Sequence, residues 1–167
     1  MASLVVIALG SNLGDRLAHL RQAREALRAV AVPESLVSSS IYQTEPVHCP
    51  DDSPDFYNAV FSFSFDGTAA ELHTHTRAIE KALGRERSVI NAPRTIDIDL
   101  LLFGGEMIHT PDLQIPHPRL HLRRFVLQPL TEILPDLVLP GLNLSVSQQL
   151  AALDSPEPPL ERIEGMW

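Results

Sequence analysis

The fold is decided by the stretch Tyr57-Asn-Ala-Val-Phe-Ser-Phe-Ser-Phe65. Every second residue in it is aromatic or alanine, and this period of two predicts a β-strand with one buried face. Asp66-Gly67 then turns the chain, and Thr68-Ala-Ala-Glu71 has the pattern of a capping box that begins a helix. Gly84 is placed to end that helix. A hairpin turn and a helix therefore follow one another directly.

The same patterns extend outward along the chain. Short apolar runs predict strands at residues 4–9, 36–43 and 95–103, the last with a short partner at 107–109. Helical spacing of leucine and valine predicts helices at residues 15–30, 125–134 and 146–153. Four arginines lie mostly off the apolar stripe of the first helix, which predicts a solvated face: Arg16, Arg21, Arg24 and Arg28.

Strands and helices alternate along the 167 residues, while hairpin turns indicate antiparallel pairing. We expect an α+β fold with a mostly antiparallel sheet and helices mainly on one of its faces. One domain should occupy residues 1–155. Prolines in the last segment predict a loosely ordered tail at 156–167.

Composition limits the possible functions. The net charge of −8 does not suit binding to a nucleic acid polymer. The apolar run at residues 4–9 is too short to span a membrane, and no basic segment of a signal peptide precedes it. The single cysteine, Cys49, excludes an internal disulfide and is expected to be a bystander in a loop. We therefore expect a cytoplasmic protein that acts on small molecules.

Basic residues are few but concentrated. Twelve of the thirteen are arginine, and six of these fall in residues 85–124. Arginine makes forked contacts that suit phosphate groups, so the cluster indicates a small anionic ligand. A set of surface salt bridges would give the same composition.

Two acids stand out in Pro93-Arg-Thr-Ile-Asp-Ile-Asp99. In a strand, Asp97 and Asp99 project to one side and Ile98 to the other. Paired carboxylates repel one another unless a cation lies between them, and magnesium prefers such ligands together with phosphate oxygens. The alternative is that the acids pair with neighbouring arginines such as Arg94.

Other features are weaker. Phe56 and Phe125 could sandwich a flat heterocycle whose edge Asn58 reads, although a single phenylalanine is more often a core residue. Residues 10–14, Gly-Ser-Asn-Leu-Gly, favour a plain turn over a phosphate cradle.

Five stretches occur together in one order: Ala8-Leu-Gly-Ser-Asn-Leu-Gly14, Tyr42-Gln-Thr-Glu-Pro46, Asp55-Phe-Tyr-Asn-Ala59, Pro93 through Asp99 with Leu102-Phe-Gly104, and Ile115-Pro-His-Pro-Arg119 with Arg123-Arg-Phe-Val126. In these the chain resembles the 6-hydroxymethyl-7,8-dihydropterin pyrophosphokinases of the folate pathway. The resemblance implies a ferredoxin-like fold, a monomer, and transfer of the diphosphate of ATP to the pterin hydroxymethyl group. It also implies two magnesium ions.

The resemblance implies roles for individual residues as well. Asp97 and Asp99 would hold the magnesium ions, with Arg85, Arg87 and Arg94 assisting catalysis. The pterin would contact Thr44, Val47, Phe56, Asn58 and Phe125. The nucleotide would contact Glu80, Arg85, Arg87, Arg94, Leu100, His117 and Arg123. Asn91, Gln114 and Pro118 depart from residues found in some members.

Two alternatives stay open. A binding module could keep the pocket without catalysis, but binding a neutral pterin would not require Asp97 and Asp99. A magnesium-dependent nuclease could use the Asp-x-Asp pair, but the chain has no basic stripe for nucleic acid.

Overall fold

The computed structural model describes residues 2–45, 55–84, 96–154, 160–163 and 167. The strands are β1 (Ser3–Ser11), β2 (Val37–Ser38), β3 (Ile41–Thr44), β4 (Phe56–Phe65), β5 (Asp97–Phe103), β6 (Ile108–His109), β7 (Gln114–Ile115) and β8 (Glu161–Ile163). The helices are α1 (Arg16–Val30), α2 (Ala69–Ala82), α3 (Arg124–Ile133) and α4 (Val146–Ala152), with a 3-10 turn at Leu120–Leu122.

The main sheet is antiparallel at every pairing between described strands. Its order is β5-β1-β4-β3-β8, and β2 also pairs with β4. The strand β1 is central, because it pairs along most of its length with both β4 and β5. This confirms the α+β fold with a mostly antiparallel sheet.

Helices cover both faces of the sheet, so the expectation of helices mainly on one face is wrong. The first face, which carries Val5, Ile7 and Leu9 of β1, packs against α1 and α2. The second face, which carries Val6 and Ala8, packs against α3 and α4. The same double cover buries Asn58, Val60 and Ser62, so β4 does not have the single buried face that its alternation predicted.

The expected strand at residues 36–43 is divided into β2 and β3. Ser39 interrupts it, since its hydroxyl donates to the carbonyl of Ser40 and accepts from the N–H of Val60. Ser40 in turn donates its N–H and its hydroxyl to Glu132 of α3. Ser39 still donates its N–H to the carbonyl of Val60, but these side-chain contacts interrupt the regular ladder between the two short strands.

The helix ends follow local sequence signals. Asp15 precedes α1 and accepts from the N–H of Ala18, while Thr68 precedes α2 and accepts from the N–H of Glu71. Gly84 lies just beyond α2 with φ of +88°, a conformation that costs glycine little. Within the described ranges, each helix is too short or too polar to cross a lipid bilayer.

Two other expectations differ from the structure. The segment β6 pairs with β7 in a separate two-stranded sheet, not with β5. The described residues near the end of the chain are not loose: β8 pairs with β3, and the Trp167 ring lies 5.4 Å from that of Phe61. Its indole N–H also donates to the carbonyl of Ser39 at 2.6 Å.

Packing between α1 and the first face should dominate stability. Leu27 is fully buried there, so Leu27→Ala should lower the free energy of unfolding by about 2–5 kcal/mol through lost burial and the cavity left behind. Chemical denaturation measures this. The matched control is Leu122→Ala, since Leu122 is 58% exposed and should cost less than about 0.5 kcal/mol. Equal losses in the two variants would contradict this account of the core.

Candidate active site

The candidate site is built on one row of residues across three strands. Gly10 of β1 lies opposite Asn58 of β4 on one side and opposite Asp97 of β5 on the other. Residues directly opposite one another in antiparallel strands project to the same face, so Asn58 and Asp97 both project from the second face. In the neighbouring row, Ala8 pairs with Asp99 in the same way.

Gly10 has no side chain, so the surface of the sheet between Asn58 and Asp97 is open. A Cβ atom at this position would lie 2.9 Å from Oδ1 of Asn58 and 3.4 Å from the ring of Phe56. The absence of a side chain therefore allows the side chains of Asn58 and Phe56 to approach the backbone of β1 closely. The sequence interpretation of residues 10–14 as a turn missed this role, because β1 continues through Ser11. A glycine inside a strand is itself a signal of close approach.

The two aspartates share one side of β5, as predicted. Both are half-buried, while Ile98 between them is 6% exposed and lies in the first-face core. The pair thus presents two carboxylates from a strand whose opposite side is anchored in the core. Among the described residues, no group of three or more histidine, cysteine or acidic side chains forms a complete protein cage for a metal ion.

Glu80 supports the strand that carries the acids. It is 2% exposed, and its carboxylate accepts from the backbone N–H of Ile98 at 2.9 Å. Because β5 is the outermost of the described strands, an N–H that points away from β1 needs an acceptor outside the ladder, and Glu80 supplies it. The contact connects α2 to the residue between Asp97 and Asp99, whereas sequence reasoning assigned Glu80 to the nucleotide.

His117 lies close enough to Arg123, Arg119 and Asp97 for their charges to act on its imidazole. Burial, together with the positive charges of Arg123 and Arg119, lowers the pKa of its imidazole to about 4, although the charge of Asp97 opposes the shift. The backbone N–H of Arg119 points to its Nδ1 at 3.2 Å. The ring is therefore neutral at pH 7, with its proton on Nε2, where it can be donated to an oxygen atom.

Asn58, Thr44 and Phe56 form the other side of the site. Nδ2 of Asn58 donates to Oγ1 of Thr44 at 2.7 Å, and Thr44 pairs with Phe56 across β3 and β4. The bond orients the amide, and Asn58 is only 7% exposed. These residues present hydrogen-bonding atoms and an aromatic ring on the second face.

Phe125 and Arg123 reach the same face from α3. Phe125 is half-buried against the second-face core, and the guanidinium carbon of Arg123 lies 5.4 Å from its ring centroid. Arg123 directly precedes the first turn of α3, whose backbone dipole adds positive potential there. This end of the second face suits a flat ring and an anion.

The remaining predicted site residues divide into two groups. Leu100 lies in the first-face core with 6% exposure, so its side chain points away from the site face. Those outside the described residues are Val47, Arg85, Arg87 and Arg94. Gln114 lies in β7, which pairs with β6, and Asn91 is also outside the described residues.

The low pKa of His117 should appear in the pH dependence of stability. Between pH 6.5 and about 4 the unfolded chain takes up a proton at this histidine that the folded protein does not. The unfolding free energy of the wild type, relative to that of His117→Gln, should be constant above pH 6.5 and fall as the pH approaches 4. Denaturant titrations at several pH values measure the difference. A difference independent of pH in this window would contradict the buried, neutral imidazole.

Comparison with known proteins finds a matching family model and several similar proteins. The family model described as 7,8-dihydro-6-hydroxymethylpterin-pyrophosphokinase (HPPK) matches residues 6–135. Among proteins of known sequence, the chain is 45% identical over 133 residues to the 2-amino-4-hydroxy-6-hydroxymethyldihydropteridine pyrophosphokinase of Bacillus subtilis, covering 80% of this chain and 79% of that one. The enzyme of the same name from Pseudomonas aeruginosa is 34% identical over 165 residues, covering 99% of each chain.

Solved structures support the fold. The structure of Plasmodium falciparum HPPK-DHPS, wild type with SDX-DHP, superposes with a TM-score of 0.71 at 14% identity. The match covers 90% of this chain and 44% of that longer chain. At this identity the likeness concerns the fold alone, and it confirms the expected ferredoxin-like α+β architecture. With residues 6–135 matched, this chain belongs to the 7,8-dihydro-6-hydroxymethylpterin-pyrophosphokinase family.

Proposed function

We propose that this chain transfers the β,γ-diphosphate of ATP to the hydroxymethyl oxygen of 6-hydroxymethyl-7,8-dihydropterin, a step of folate biosynthesis. The observation that carries the proposal is the shared row of Asn58, Gly10 and Asp97. It places a polar group suited to a heterocycle and a carboxylate suited to a metal–phosphate complex on one face of the sheet. Family membership supports the same reaction.

The pterin is proposed to bind on the β4 side of this row. Asn58 offers an amide, held by Thr44, to the polar edge of the heterocycle. Phe56 and Phe125 would lie against its two flat surfaces, where stacking and burial favour binding. Val47, the remaining proposed contact, is assigned from the family resemblance.

The ATP triphosphate is proposed to bind on the β5 side. The residues Asp97 and Asp99 fit magnesium, because this ion commonly uses one or two carboxylates and completes its shell with water and substrate phosphates. When bound, magnesium would neutralise phosphate charge and polarise the reacting oxygens. We propose two such ions.

Side chains around the acids complete the phosphate site. The neutral His117 can donate Nε2–H to a phosphate oxygen, and Arg123 supplies fixed positive charge. The further nucleotide contacts that we propose are Glu80, Arg85, Arg87, Arg94 and the backbone of Leu100. Of these, Glu80 would also position the strand between Asp97 and Asp99, because its carboxylate accepts from the N–H of Ile98.

The reaction needs no protein nucleophile. The hydroxymethyl oxygen attacks the β-phosphorus of ATP, the bond from that phosphorus to the α,β-bridging oxygen breaks, and AMP leaves with this oxygen. The hydroxyl proton is released. Such transfer depends on alignment of the two substrates and on charge neutralisation, which the row of site residues would supply.

We further propose that the protein acts as a monomer in the cytoplasm, where its single cysteine would remain reduced.

Product analysis tests the reaction. The protein is incubated with ATP, magnesium and 6-hydroxymethyl-7,8-dihydropterin, and AMP is separated from ADP by chromatography. AMP formed only when pterin and metal are both present supports diphosphate transfer. Pterin binding by calorimetry without AMP formation would instead identify a binding module that lacks catalysis.

Loss of one carboxylate should separate catalysis from pterin binding. Asp97→Asn keeps the shape of the side chain but removes its charge, so turnover should fall by at least about 100-fold while the pterin still binds. Initial rates of AMP formation and calorimetry with pterin measure the two effects. The control is Asp112→Asn, since Asp112 is an exposed acid. Near-normal turnover of Asp97→Asn would remove Asp97 from the proposed metal site.

Loss of the Phe125 ring should weaken the pterin complex. Phe125→Ala should reduce the binding free energy by about 1–3 kcal/mol because stacking and buried area are lost. Phe125→Leu keeps apolar packing on the second-face core, so it separates loss of the ring from loss of volume. Calorimetric titration with pterin measures both variants. Unchanged affinity in Phe125→Ala would exclude Phe125 from the pocket.

A further inference from the structure

We propose that Arg16, on the far side of the sheet from the site, is a positioning residue for the pterin contacts of β4. Arg16 is the first residue of α1, and its Nη1 donates to the backbone carbonyl of Asp55 at 2.9 Å. Its guanidinium carbon also lies 4.0 Å from the ring centroid of Tyr57. Sequence reasoning placed Arg16 on a solvated face, so this role was missed.

Both contacts of Arg16 lie on either side of Phe56. The carbonyl of Asp55 belongs to the peptide group that joins Asp55 to Phe56, and Tyr57 is the next residue along β4. An arginine that holds both therefore limits rotation of the backbone around Phe56. In a strand, backbone orientation determines which way each side chain projects, so Asn58 is affected together with Phe56.

Asp55 is held from a second direction as well. Its Oδ2 accepts from Nε2 of Gln43 in β3 at 2.9 Å, and Gln43 pairs with Tyr57 across the two strands. Asp55, which directly precedes Phe56, is thus bonded to α1 through its backbone and to β3 through its side chain. Two bonds from different elements define one position far better than either bond alone.

Arg16 acts without reaching the ligand. Tyr57 packs with the first-face core, whereas Asn58 and Phe56 project from the second face, where the pterin is proposed to bind. The bond to Asp55 is charge-assisted and partly shielded from water, and a cation over an aromatic ring adds to it. These features make the contact stronger than an ordinary surface hydrogen bond. This inference rests on the proposed function for its effect on pterin, but not for its effect on the backbone.

Arg16→Met tests the inference, because methionine keeps an apolar stem but has neither charge nor donor. Pterin dissociation constants, measured with a non-hydrolysable ATP analogue present, should rise by about tenfold, while the KM for ATP should change by less than about twofold. Arg16→Lys keeps the charge and can still donate a hydrogen bond, so it should recover most of the affinity. The matched control is Arg28→Met, which removes the same charge from an exposed position of α1 and should leave all values unchanged.

A second measurement does not depend on any ligand. Hydrogen exchange of the unliganded protein should become faster by about fivefold or more in a peptide covering residues 55–60 of Arg16→Met, and not in one covering α3. Unchanged exchange there, or equal losses of pterin and ATP affinity, would overturn the positioning role. A wild-type protein that binds no pterin would contradict the proposed function alone, and the exchange data would still decide whether Arg16 holds Asp55.

Discussion

Antiparallel pairing of β1 with both of its neighbours is the constraint on which the rest of the structure depends. The two registers meet at Gly10, and this coincidence brings Asn58 and Asp97 to one face although they lie far apart in sequence. The register is held because both faces of β1 are buried. A slip of one residue would turn Val5, Ile7 and Leu9 to the second face and their neighbours in β1 to the first face. Both cores would then have to repack.

Edge strands and helices then hold the site residues around that row. Glu80 satisfies the open side of β5 between the two acids, so the carboxylates stand on backbone that is bonded from both directions. On the other side of the sheet, α3 is fastened to β3 by Glu132, which accepts from the N–H and hydroxyl of Ser40 and from the hydroxyl of Tyr42. Because α3 carries Phe125, this attachment also sets where the ring lies.

The fastening of α3 is electrostatic as well as geometric. Burial alone would raise the pKa of Glu132, but the hydrogen bonds from Ser40 and Tyr42 outweigh it and hold that pKa below its usual value. Burial and, next, the bond to Glu132 together raise the pKa of Tyr42 to about 12. At neutral pH the contact therefore joins an ionised carboxylate to a neutral phenol, which makes the hydrogen bond stronger than one between neutral groups.

Sequence by itself determined the elements and the chemistry. Short apolar runs located β1 and β5, the period of two located β4, and helical spacing with capping signals located the four helices within a few residues. These patterns are readable because they record which residues are buried. The alternation at Asp97, Ile98 and Asp99 also placed both acids on one side of their strand. Tertiary structure decided what those patterns do not contain. The pairing register placed Gly10 between Asn58 and Asp97. The presence of a second helical layer meant that both faces of β4 are buried. Long-range contacts also attached Arg16 to Asp55 and Tyr57. Local sequence records the burial of a side chain, but the partner that buries it lies elsewhere in the chain and is chosen only when the strands and helices pack.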